Sequence, residues 1–177
     1  MRHLVLLGML LSGWAVPAAG QNPRDHQIFQ DVARQVRRYH AFTIFDDVNA
    51  GVDAGVVTLT GKVTMPHKRQ DIGRVVAAVD GVREVKNAIE VLPVSRFDEQ
   101  LRYRVARAIY GNPAFWTYAA MASPPIHIVV ERGRVTLTGV VNSDVERMLA
   151  RSLAVGTGAL DVRNLLKTDQ EIRTELD

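Results

Sequence analysis

One segment of this chain occurs twice. Gly55-Val-Val-Thr-Leu-Thr-Gly61 returns as Gly133-Arg-Val-Thr-Leu-Thr-Gly139, so Val-Thr-Leu-Thr-Gly recurs at an offset of 78 residues. The flanking segments return in the same order. Val32-Ala33-Arg34 comes back as Val105-Ala106-Arg107, and Gly81-Val-Arg-Glu-Val-Lys-Asn87 as Gly158-Ala-Leu-Asp-Val-Arg-Asn164. The offsets differ by only a few residues, and loops absorb such differences cheaply. The chain is therefore two copies of one small domain, each of which must build its own core. At about 70 residues a copy is near the lower size limit for an independent core, which favours docking of one copy on the other.

Each copy reads as α-β-β-α-β. In the first, Ile28, Phe29, Val32, Val36 and Tyr39 recur at helical spacing, with Asp25 able to cap the start; in the second, Phe97, Leu101, Val105, Ala108 and Ile109 do so. Alternation at Val48, Ala50 and Val52, and at Ile126, Ile128 and Val130, predicts a half-buried strand. Gly55 and Gly133 then supply a hairpin turn that needs positive φ, and Val57, Leu59 and Val135, Leu137 return with threonines on the opposite face. A second helix follows, started by Pro66 in one copy and by Asn142, Ser143 or Asp144 in the other. Its predicted buried stripes are Ile72, Val75, Val76, Val79 and Val145, Met148, Leu149, Leu153. Gly81 and Gly158 end these helices, and a short last strand closes each unit. A hairpin followed by a strand–helix–strand crossover gives an α+β unit, a three-stranded mixed sheet packed with two helices.

The ends divide the chain further. Arg2 and His3, an apolar run from Leu4 to Trp14, and Pro17-Ala-Ala-Gly20 have the order of a secretory signal peptide. Residues 1–20 are expected to be removed after Gly20, leaving Gln21 first in a periplasmic protein. The first domain is placed at residues 21–92, a linker at 93–95, the second domain at 96–167 and an acidic tail, frayed or unstructured, at 168–177. The sequence has no cysteine, hence neither a disulfide framework nor a thiol to carry a lipid anchor. Loss of Arg2 with the leader lowers the formal net charge from +3 to +2. So even a balance gives no bulk attraction to nucleic acid.

The order of elements, the two Val-Thr-Leu-Thr-Gly hairpins and the endings Val85-Lys-Asn87 and Val162-Arg-Asn164 resemble the BON domain (bacterial OsmY and nodulation). That resemblance covers nearly all of the mature chain. It implies an exported tandem-BON protein like the osmotically inducible periplasmic proteins, binding phospholipid surfaces or envelope proteins in envelope maintenance or stress. It brings no catalytic residue set with it. Two departures stand out: the missing lipoprotein cysteine, and the longer Gly111–Pro125 connection with Phe115, Trp116 and Tyr118.

The residues themselves carry no enzyme motif: there is no Gly-x-Ser-x-Gly, phosphate loop or dinucleotide fingerprint. His26, His40, His67 and His127 stand at no metal-ligand spacing, and Asp46-Asp47 reads as a solvated loop rather than a cation site. No cofactor, metal or small-molecule substrate is expected. The first helix of copy 1 carries Arg34, Arg37 and Arg38 opposite its core stripe, a solvated face. In copy 2 the corresponding face is predicted to carry Arg102, Tyr103, Arg107 and Tyr110. Tyrosine and arginine together suit a headgroup interface, the ring being amphipathic and the guanidinium pairing with phosphate. With Phe115 and Trp116 these are the candidate lipid- or partner-binding residues. The expected function is reversible association with anionic phospholipid; the alternative is a periplasmic chaperone or adaptor for envelope proteins.

Overall fold

A computed structural model describes residues 23–176, with side chains to residue 174; the leader assigned to residues 1–20 lies outside the described residues. Repeat 1 runs α1 (Pro23–Arg38), β1 (Asp47–Asp53), β2 (Val56–Val63), α2 (Pro66–Ala77), then β3 (Glu84–Asn87) and β4 (Glu90–Val91). Repeat 2 begins with α3 (Arg96–Tyr110), followed by a 3-10 turn (Pro113–Phe115) and one-turn helix α4 (Trp116–Ala119). It continues through β5 (Ile126–Glu131), β6 (Arg134–Val141), α5 (Asp144–Val155), β7 (Asp161–Asn164) and β8 (Lys167–Thr168). A further helix, α6 (Asp169–Leu176), occupies the expected tail. Thr168 and Glu171 start it reciprocally, each side chain accepting the other's backbone N–H.

The two sheets have one topology. β2 pairs antiparallel with β1 and parallel with β3 and β4, and β6 does the same with β5, β7 and β8. Val57 lies between Val52 and Val85, and Val135 between Val130 and Val162. Each unit is thus the three-stranded mixed sheet under two helices, with its last strand broken in the middle. The break explains the repeated asparagine. Asn87 accepts the Ile89 amide at 3.2 Å and donates to the Arg69 carbonyl of α2 at 2.8 Å; Asn164 accepts from Leu166 at 3.3 Å and donates to Arg147 of α5 at 2.9 Å.

The repeated glycines answer to backbone geometry. Ala54-Gly55 (φ 48° and 77°) and Arg132-Gly133 (φ 52° and 75°) make two-residue turns with both φ positive, the form that matches strand twist. Gly61 and Gly139 sit at φ +113° and +107° inside the middle strands, where a Cβ would overlap the carbonyl oxygens of Asp47 and Pro125.

Each repeat has its own core. Ile28, Val32 and Val36 of α1 and Ile72 and Val76 of α2 cover Val57, Leu59 and Val63 of β2. In repeat 2, Leu101, Val105 and Ile109 cover Ile126, Ile128, Val130, Val135 and Leu137. There α5 buries only Ala150 and Ala154, at the places of Ile72 and Val76, and Phe115 and Tyr118 from the long connection complete the core. The predicted α5 stripe is corrected accordingly: Leu149 and Leu153 pack at the core edge, but Val145 and Met148 are solvent-exposed. Phe29 and Phe97, expected within their helices' core stripes, are about half exposed, at 43% and 50%.

The repeats dock through the α1–β1 connection. Ile44 and Phe45 pack against the core of repeat 2, and the Ile44 carbonyl accepts the Ile128 amide at 2.7 Å. The Asp46 carbonyl lies 2.6 Å from His127 Nδ1, and Phe42 meets the His127 ring. Lys62 Nζ, 2.5 Å from Glu131 Oε2, adds an ion pair across the junction. No helix among the described residues is long and apolar enough to cross a membrane.

Candidate interaction surface

The outer face of α3 is narrower than the sequence predicts. Arg102 is buried, not exposed: its Nη2 donates to the Val130 carbonyl at 3.0 Å, while its Nε is enclosed without a partner. Tyr110 is half-buried at the edge of the repeat 2 core, and its hydroxyl donates to the Ile126 carbonyl at 2.5 Å. Desolvation pushes its phenol above the ordinary range. Phe115 is fully buried against Tyr118. The cause is shared. α3 buries a broad stripe, Asp98, Leu101, Arg102, Val105 and Ile109, and the connection after it contributes Phe115 and Tyr118 to the same core.

Tyr103, Arg107 and Trp116 do face solvent, the rings 57% and 62% exposed. Tyr103 also meets repeat 1, through a T-shaped contact with Phe45 at 5.3 Å between centroids.

Helix α5 presents a second exposed feature. Val145, Met148 and Val155 stand at helical spacing on its outward side, 69%, 64% and 50% exposed, with Ser152 between them. Periodicity assigned two of these to the core. Repeat 1 holds the signal that separates them: at the first three of these places α2 has His67, Gln70 and Arg74, polar residues that a core disfavours.

Other polar groups are structural. Asp46 is fully buried rather than solvated. It accepts from Thr43 N and Oγ1 (both 2.8 Å), Thr64 N (2.8 Å) and Oγ1 (2.9 Å), and Lys68 Nζ (2.6 Å). Repeat 2 meets the same need with different groups: the Asn142 amide, at the place of Thr64, donates to Tyr118 Oη and Glu146 Oε2, both at 2.9 Å. Among the described residues no three histidine, aspartate or glutamate side chains converge as a metal site.

A small α+β unit repeated in tandem, its sheet covered on one face by two helices, defines the class: a duplicated mixed-sheet module. The chain belongs to the BON-domain family, whose domain profile matches residues 24–93 and again 98–170. BON-domain proteins are generally non-catalytic binding proteins, and the domain is associated with phospholipid binding in envelope or stress proteins. No curated protein matches the chain. Among solved structures it is similar to CdsD, a structural protein of the type III secretion system of Chlamydia trachomatis, at 14% identity and a TM-score of 0.29, covering 85% of this chain and 97% of that one. The C-terminal domain of CdsD gives 14% identity and a TM-score of 0.33, over 80% and 65% of the two chains. Similarity at that level carries no argument about function.

Proposed function

We propose that this protein is an exported, non-enzymatic binding protein that associates reversibly with anionic phospholipid surfaces in envelope maintenance or stress. The observation that carries the reading is the exposure of Tyr103, Arg107 and Trp116 in repeat 2. A basic residue near an anionic surface contributes only about 1 kcal/mol, so a chain without a lipid anchor needs rings that enter the interface as well as charge. The rival reading, a chaperone or adaptor for envelope proteins, draws on the cleft of about 880 Å³ between the repeats, lined by Phe29, Val36, Phe42, Val140 and Leu165.

Trp116 supplies the test. The sequence has two tryptophans, Trp14 and Trp116, so a chain without residues 1–20 has Trp116 alone. Its emission should shift to the blue with anionic vesicles and stay unchanged with zwitterionic ones. Unchanged emission with both, together with suppressed aggregation of an unfolded client in the absence of lipid, would put the chaperone reading first.

A further inference from the structure

We infer that the outward face of α5, with Val145, Met148 and Val155, inserts into the headgroup–acyl boundary of an anionic bilayer in addition to Tyr103 and Trp116. This rests on the phospholipid reading above and adds to it a surface that the α3 residues do not include.

The duplication provides an internal control. α2 and α5 are both 12 residues long and start at equivalent positions, so their outward residues correspond one to one. His67 corresponds to Val145, Gln70 to Met148, Arg74 to Ser152 and Ala77 to Val155. The same change extends past the helix end. Arg83 follows Gly81 by two residues, and in repeat 2 that place is Leu160, which is 77% exposed. At these five places repeat 1 has a histidine, a glutamine, two arginines and an alanine, whereas repeat 2 has four apolar residues and Ser152. Isolated exposed apolar residues need no explanation, but a stripe that one copy has and its duplicate lacks marks an interaction surface.

Charge selects the occupant. α3 and α5 pack side by side. Arg104 Nε reaches the Thr157 carbonyl past the end of α5 at 3.3 Å, while Tyr118, after α3, bonds Glu146 at the start of α5. The helices are therefore antiparallel, and their outward faces form one surface. The two helices carry exposed Arg104, Arg107 and Arg151 against the exposed acids Glu99 and Asp144, and Asp144 is paired with Arg147. Against a second copy across a two-fold axis these arginines would face arginines. Against an anionic bilayer they meet phosphates while the stripe enters the boundary.

The test exchanges the two faces. Val145→His, Met148→Gln and Val155→Ala together give α5 the residues of α2 at three of the four outward places, and His67→Val, Gln70→Met and Ala77→Val give α2 those of α5, with Ser152 and Arg74 left in place. Flotation with phosphatidylglycerol and phosphatidylcholine vesicles is read at about 50 and 300 mM salt, thermal melts being taken alongside. The first exchange should weaken phosphatidylglycerol binding on the order of tenfold or more at both salt concentrations, because apolar burial is not screened. The reverse exchange should strengthen it. Should the native chain bind while both exchanged chains bind equally well, the α5 inference is overturned and the phospholipid reading stands. Should the native chain not float at all, both fall. A dimer in sedimentation that becomes a monomer on the first exchange, with vesicle binding unaltered, would also overturn it in favour of self-association.

Discussion

The buried carboxylate of Asp98 lies 2.7 Å from the amide nitrogen of Gly133, so the first turn of α3 holds the tip of the β5–β6 hairpin. Its other oxygen accepts the Arg132 amide at 2.8 Å. Asp25 holds Ala54 and Gly55 in the same way at 3.0 and 2.9 Å. A turn with two positive φ values points both amides at one spot, and a carboxylate there satisfies both. Because Asp98 is more deeply buried than Asp25, Asp98→Ala should cost about 2–4 kcal/mol and Asp25→Ala distinctly less. Urea unfolding measures both; equal small losses would mean the clamp contributes nothing.

Gly139→Ala should be among the most damaging small substitutions in repeat 2, since the new methyl would overlap the Pro125 carbonyl at a φ that favours glycine. Gly156→Ala, at φ −63° with only ordinary contacts nearby, should be mild by comparison. Thermal melts of the two variants would decide this, and similar midpoints would contradict it.

Asp46 links stability to pH. Burial alone would push its carboxyl up, but the donors Lys68, Thr64 and Thr43 outweigh that and hold it below its ordinary value of 3.8. A depressed folded-state pKa contributes stability that is fully present above the unfolded value and lost as pH falls through the folded one. The native chain should therefore lose stability below about pH 4. Asp46→Asn, already weakened at neutral pH because Lys68 is left buried without its counter-charge, should lose less over that range. Urea midpoints at about pH 7 and 3 read the difference, and parallel losses would count against the link.

Local pattern discloses the repeat well and the surface poorly. Alternation at Ile126, Ile128 and Val130 places the β5 core face, and the hairpin glycines place the turns, because both depend on neighbours in sequence. Periodicity tells which helix residues share a face, but not how much of that face is covered. Covering depends on distant segments. Phe115 and Tyr118 join the repeat 2 core from the long connection, Ile44 and Phe45 arrive from the other repeat, and Arg102 turns inward toward the Val130 carbonyl. Asp46 was hidden for the same reason, since Lys68 and Thr64 reach it from across the sheet connection.

Tyr103 and Tyr110, alike in sequence, should separate in behaviour. Tyr103→Ala removes an exposed ring and should weaken vesicle binding at every salt concentration, whereas Arg107→Ala should weaken it chiefly at low salt. Tyr110→Phe loses the bond to the Ile126 carbonyl and should lower stability by about 1 kcal/mol with vesicle binding unchanged. Vesicle titrations and unfolding curves on the same three variants test this. A vesicle defect in Tyr110→Phe alone would reverse the assignment.

Flotation of the chain from Gln21 onward with phosphatidylglycerol and with phosphatidylcholine vesicles, at low and at moderate salt, decides whether the protein binds anionic phospholipid. The protein should rise with the anionic vesicles, less at moderate salt but still measurably, and remain below with the zwitterionic ones. Protein that stays at the bottom of both gradients at low salt would contradict that binding.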